Sequence, residues 1–198
     1  MASDPDAVIR SVLHIKRGDS LPFTSWSKAL VTRQALAEIF AQCGYTRGAE
    51  IGVRIGSFSE HLLQNVPGLH MTCVDMWAAY DNHSAENQER AYRQACRRLG
   101  KYPTTIIRKP STEAAKDVAD GSLDFVYIDA AHDFDHVAMD LITWAPKVRK
   151  GGIVSGHDFF CFYQSGVVQA VFAYTAAHRI VNWYLTGEQQ CSYLWVKP

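Results

Sequence analysis

From Gly48 onward the chain alternates short apolar runs with amphipathic stretches, and no other feature of its 198 residues restricts the fold as strongly. The apolar runs are 49–53, 70–74, 104–108, 124–129 and 152–155. Helix-period patterns lie between and after them, over 58–65, 84–99, 111–119, 134–147 and 164–177. Strand and helix in alternation predict an α/β fold: a doubly wound, mostly parallel sheet with helices on both faces. Two last β-rich runs, 180–185 and 191–197, are separated by Thr-Gly-Glu-Gln-Gln, too short for a helix. They predict a C-terminal antiparallel hairpin at the sheet edge. Ahead of the alternation, 4–16 and 26–43 read as helices around a Gly-Asp-Ser-Leu-Pro-Phe loop. The expected organisation is one domain over 1–198, with 1–44 a helical extension or lid and 45–198 the core.

Charge narrows the function classes. Lys+Arg and Asp+Glu both number 20, so bulk charge supplies no drive toward nucleic acid or a membrane surface. No apolar stretch reaches the roughly 18 residues of a membrane span. The N-terminus lacks the basic and apolar regions of a secretory signal. Five scattered cysteines without a Cys-x-x-Cys pair argue against a disulfide framework or a zinc site. A cytoplasmic protein is expected. Arg90, Arg93, Arg97, Arg98 and Lys101 make one helix end basic, but Glu86 and Glu89 stand four residues ahead of Arg90 and Arg93. That pattern reads as a solvated helix face. A nucleic-acid contact is the alternative.

The segment Glu50-Ile51-Gly52-Val53-Arg54-Ile55-Gly56-Ser57 joins a strand to a helix. Its glycines permit a sharp turn and close approach of a ligand, and the free N–H groups of the following helix start suit an anionic group. The spacing is G-x-x-x-G, not the G-x-G-x-x-G of dinucleotide enzymes. The next strand ends in Asp75, followed by Met76 and Trp77. A strand-end acid there can accept hydrogen bonds from ribose hydroxyls, or simply cap the next element. Ser111 follows the third strand and is also a natural N-cap.

Two later strand ends carry Asp129, Ala130, Ala131, His132 and then His157, Asp158. In an open α/β sheet these ends face the ligand crevice. Carboxylates with an imidazole can hold a divalent cation, and a neutral histidine can act as a general base. Alternatively, His132 binds a cofactor carboxylate or caps the helix from 134, and Asp158 caps a loop. The aromatic loops Trp77–His83 and Phe159–Tyr163 could wall a pocket or pack onto the domain, and Trp26 could fold over the site.

Glu-x-Gly-x-x-x-Gly, then a strand-end acid, then later acidic strand ends, resembles the class I S-adenosylmethionine (SAM)-dependent methyltransferases over roughly residues 45–198. The resemblance implies a Rossmann-like seven-stranded sheet whose last strand is antiparallel. It places Glu50, Gly52, Gly56 and Ser57 at the methionine part of SAM and Asp75 on the ribose. Met76, Trp77 and Ser111 fall near the adenine, and Asp129 close to the cofactor. The segments around Asp129 and His157 resemble the branch with metal-dependent small-molecule and sugar O-methyltransferases. That implies Mg²⁺ or another divalent ion on Asp129, His157 and Asp158, catalytic roles for Asp129 and His157, and His132 as base. His-Asp stands where that branch commonly has Asp-Asp or Asp-Asn. The expected partner is a small hydroxylated acceptor, with a homodimer compatible. Ile128-Asp129-Ala130-Ala131 is unlike the Asn/Asp-Pro-Pro-Tyr motif of amino methylation, which favours oxygen over a base nitrogen. The rival readings are a non-catalytic SAM or nucleotide module, a nucleic-acid methyltransferase and an NAD enzyme. The glycine spacing and the hairpin count against the last.

Overall fold

The computed structural model describes residues 4–16, 18–19, 23–24, 31–80, 83–161 and 165–198. In chain order the elements are α1 (Pro5–Val12), β1 (Phe23–Thr24), α2 (Leu36–Gln42), β2 (Arg47–Ile51), α3 (Ser57–Asn65), β3 (His70–Asp75), α4 (Ala85–Leu99), β4 (Thr104–Arg108), α5 (Ser111–Ala114), β5 (Leu123–Ile128), α6 (Phe134–Trp144), β6 (Val148–Gly156), α7 (Val167–Ala177), β7 (Tyr184–Leu185) and β8 (Tyr193–Val196). Short 3₁₀ turns precede α2 and follow α5 and α6.

The sheet runs β1-β7-β8-β6-β5-β2-β3-β4. The seven expected strands are present, with the two-residue β1 added at the edge. Every neighbouring pair is parallel except those involving β8, which is antiparallel to both β6 and β7. The C-terminal hairpin therefore forms, but its second strand lies inside the sheet rather than at its edge. Tyr193, Leu194 and Trp195 are buried accordingly.

Helices cover both faces. β5 shows why: Phe125 and Tyr127 point into one apolar cluster, Val126 and Ile128 into the other, the two-residue period of a strand buried on both sides. The first cluster takes apolar residues of α1, α2, α3 and α4, with Phe40 stacked on Phe125 at 3.8 Å between ring centroids. The second takes those of α5, α6 and α7. The N-terminal helices are thus part of the layer over the sheet. α1 ends at Val12 rather than at 16, because His14 turns left-handed (φ 56°). α2 begins at Leu36 after a turn over Arg33–Ala35 capped by Thr32, so the helix expected over 26–43 does not run through 31–35, and 26–30 lie outside the described residues. Trp26 lies outside the described residues, as do Asp81, Asn82, Phe162 and Tyr163 of the two aromatic loops. Among the described residues no helix is long and apolar enough to cross a membrane.

The chain passes outward from β2 to β3 and β4, then returns to place β5 on the other side of β2. This reversal opens a crevice beyond the carboxyl ends of β2 and β5, where ligands bind in open α/β sheets.

Candidate active site

The turn after β2 is built tightly against the end of β5. Gly52 has φ +94°, and a Cβ there would stand 2.0 Å from the Asp129 carbonyl oxygen and 2.7 Å from Ala130 Cα. Its N–H donates to the Val74 carbonyl (2.8 Å), and Asp129 N–H donates to the Ile51 carbonyl (2.7 Å). Gly56 (φ +77°) starts α3, where an added Cβ would lie 2.9 Å from a Leu99 methyl. Arg54 (φ 51°), Trp77 (φ 40°) and Asp158 (φ 56°) are also left-handed. Three such residues at the carboxyl ends of β2, β3 and β6 concentrate backbone strain around the crevice.

Asp75 fastens this region. Its Oδ2 accepts the Arg54 N–H and its Oδ1 the Trp77 N–H, both at 2.8 Å. The Trp77 indole in turn donates to the Arg54 carbonyl (2.7 Å). Each carboxylate oxygen keeps further acceptor capacity. Asp75→Ala removes the acceptor of two backbone donors. It is expected to cost about 1–3 kcal/mol of stability, read as a lower urea midpoint. An unchanged midpoint would show that the two bonds carry no weight.

The other residues expected near a cofactor divide into accessible and occupied ones. Met76 is 40% exposed. Trp77 is 1% exposed and packs on Tyr92, ring centroids 5.0 Å apart. Glu50 is 2% exposed and accepts the Ser59 hydroxyl; burial pushes its carboxyl up to about 8. It supports the loop from beneath. The Ser57 hydroxyl accepts from Arg98. Ser111 does not cap its helix: its hydroxyl donates to buried Asp140 and accepts from the Trp144 indole (2.8 Å).

The strand ends of β5 and β6 bring Asp129, His132, His157 and Asp158 together. His132 Nε2 lies 2.9 Å from Asp158 Oδ2. His157 Nδ1 lies 3.4 Å from the same oxygen and 3.7 Å from Asp129 Oδ1. The hydrogen bond to Asp158 holds the His132 pKa above its ordinary value, against burial. Burial pushes the Asp158 carboxyl up, but hydrogen bonds from His132 and His157 outweigh it and hold the group well below the usual range. For Asp129 burial prevails over the His157 charge, and its pKa is raised. Asp133, not His132, caps α6, its Oδ1 accepting the His136 N–H.

Ligand-type atoms of Asp129, His132 and Asp158 all lie within 4.8 Å of one another. The convergent set thus takes in His132, while the expected His157 stands beside it against both carboxylates. In donor chemistry the set suits a hard or borderline cation. One residue of the site was not anticipated. Arg33, on the turn before α2, places Nη1 3.2 Å from Asp129 Oδ2, with its guanidinium 5.2 Å above the Phe58 ring. No motif joins residues 33 and 129.

Around the site, Phe159 packs against Phe172 and Trp183 (5.7 and 5.4 Å), whereas Tyr80 is half exposed. On α4, Arg90 and Arg93 pair with Glu86 and Glu89 (3.7 and 3.0 Å). Arg98 and Lys101 pair with Glu60 (3.5 and 3.0 Å).

Known proteins share this architecture. A candidate caffeoyl-CoA O-methyltransferase from Staphylococcus aureus superposes with a TM-score of 0.63 at 16% identity, over 99% of this chain and 93% of that one. A candidate rRNA methylase from Clostridium thermocellum gives 0.65 at 8% identity, over 87% and 100%. At these identities the likeness is one of fold. A stretch of 87 residues, 43% of this chain, is 31% identical to the uncharacterized protein y4gI of Sinorhizobium fredii and spans a tenth of that protein's length. Residues 49–159, from β2 through the Asp129 and His157–Asp158 strand ends, match the family described as "Methyltransferase domain". With more than half of its length in that match, the chain belongs to the methyltransferase-domain family.

Proposed function

We propose that this protein transfers a methyl group from SAM to a hydroxyl oxygen of a small acceptor. One observation carries the reading: the glycine turn and the acid–histidine cluster meet at one crevice, with Gly52 pressed against the Asp129 backbone. A cofactor held on the turn would present its reacting end to the cluster.

The residues fit SAM. The β2–α3 turn and the start of α3 supply backbone N–H groups for the methionine part, with Gly52 and Gly56 allowing the approach. Asp75 retains lone pairs for ribose hydroxyls, and exposed Met76 offers an apolar surface for the adenine. Glu50 supports this arrangement from a buried position and Ser111 from a half-buried one. When bound, SAM supplies a methyl group on a cationic sulfur that departs as a neutral thioether.

His132 is the base of this reading. Its Nε2 is engaged by Asp158, which orients the ring. The ring side chain is 43% exposed and so can be reached. The imidazole would take up the acceptor's hydroxyl proton, while bound SAM would supply the methyl group that the oxygen receives. The proton then passes to solvent. Asp129 and His157 complete the polar wall that holds the acceptor in line.

The test is methyl transfer from SAM to a panel of catechols, flavonoids and sugars, followed as S-adenosylhomocysteine (SAH) release and located by mass spectrometry. Methylation at a hydroxyl is expected. Transfer only to amines, or only to RNA, would refute the acceptor assignment.

A further inference from the structure

The resemblance seen in the sequence implies a divalent cation on Asp129, His157 and Asp158. The surroundings of those side chains do not fit one. Asp129 Oδ2 already faces the Arg33 guanidinium at 3.2 Å. His132 Nε2 engages Asp158 Oδ2 at 2.9 Å, and His157 Nδ1 approaches both carboxylates. An ion seated among Asp129, His132 and Asp158 would displace the His132–Asp158 bond. It would also share a carboxylate with a second cation, and like charges on one site repel.

Arg33 is firmly placed. Its backbone N–H donates to Glu188 Oε1 (2.7 Å), and the Gly187 N–H donates to the Val31 carbonyl (2.6 Å). The Gln34 carbonyl meets His61 Nε2 at 3.1 Å. The turn is therefore fastened to the β7–β8 loop and to α3, while the side chain crosses Phe58 to reach Asp129. A guanidinium keeps its charge at every working pH and carries five N–H donors, so the bond to Asp129 leaves others for a bound oxygen.

We propose that Arg33 is the resident cation of this site: it holds Asp129 as a paired carboxylate, faces the acceptor oxygen with a fixed positive charge and excludes a divalent metal. The oxygen-transfer role rests on the methyl-transfer reading above; the exclusion of metal does not. It predicts that removing the guanidinium creates a metal site from Asp129, His132 and Asp158.

The experiment uses Mn²⁺ as the probe, with binding followed by electron paramagnetic resonance. The proteins are the wild type, Arg33→Lys, Arg33→Ala and Arg33→Ala combined with Asp129→Ala. SAH binding is measured on the same samples with and without chelator. The wild type and Arg33→Lys are expected to show no Mn²⁺ site. Arg33→Ala is expected to gain at least about tenfold in Mn²⁺ affinity, and the added Asp129→Ala to abolish that gain. Mn²⁺ binding by the wild type that depends on Asp129 would overturn the proposal. So would an Arg33→Ala protein that binds SAH but gains no Mn²⁺ site. Arg33→Gln, which keeps most of the stem and an amide donor, decides the same question should the alanine variant not fold. Failure of the wild type to bind SAH would refute the methyl-transfer reading instead, and the Mn²⁺ comparison would still decide which cation the site holds.

Discussion

Gly52→Ala is expected to destabilise the protein by about 4 kcal/mol or more and to abolish SAH binding. The argument is steric and local. The added methyl would meet the Asp129 carbonyl oxygen at 2.0 Å and carbon at 2.4 Å, and both are backbone atoms at the end of a buried strand. They cannot rotate aside as a side chain can. Relief would require β2 and β5 to separate at the crevice, where Asp129 N–H also bonds the Ile51 carbonyl. The left-handed φ of +94° adds strain for any residue with a Cβ. Gly121→Ala is the control. It has a similar sign of φ (+67°) and nothing within 4 Å of the added carbon, so only the backbone strain remains. That substitution is expected to cost about 1 kcal/mol. Urea melts of the two variants that coincide would show that the β2–β5 contact is not a constraint.

His132→Asn is expected to slow methyl transfer by about 10²–10⁴-fold, for any acceptor that the wild type methylates, while leaving SAH affinity unchanged. The base is effective only when neutral, and its hydrogen bond to Asp158 raises its pKa above the ordinary histidine value. The rate should therefore climb with pH and reach its midpoint above about 6.5. Asp158→Asn removes the charge that holds the proton and should move that midpoint down. The linked stability has the opposite sense to a depressed carboxylate. A histidine whose folded pKa is raised contributes stability below its unfolded pKa, and that contribution disappears as pH rises through the folded value. Urea midpoints of wild type minus those of His132→Asn should shrink across that same interval. A flat pH–rate profile, or near-normal turnover in His132→Asn, would remove His132 from the chemistry.

The layered fold was legible because every strand from β2 to β6 is bounded by helix-period sequence, and a parallel sheet demands such crossovers. The position of β8 was not. Its sequence announces a strand joined to β7 by a short loop, but insertion between β6 and β7 depends on pairing with Ile153–Gly156, a contact between distant segments. β1, two residues paired with Tyr184 and Leu185, has no pattern long enough to read. In the site, Asp129, His132, His157 and Asp158 were visible because strand ends of one sheet converge. The direction of the Trp77 side chain was not legible, because adjacency to Asp75 says nothing of it. A left-handed backbone turns the indole to the Arg54 carbonyl and into the core. Asp75 was read as a ribose acceptor or as a cap of the next element, but the two backbone N–H groups it accepts, those of Arg54 and Trp77, come from a loop geometry that exists only after folding. Arg33 had no signal, since its partner is 96 residues away and its turn has no motif.

On the proposed function, the β2–α3 turn and Asp75 form a SAM site beside the cluster. Calorimetric titration of the wild-type protein with SAH, in the presence of chelator, tests it most directly. Saturable one-to-one binding that Asp75→Asn weakens by about tenfold or more is the predicted result. No heat of binding from a folded wild-type protein would contradict the account.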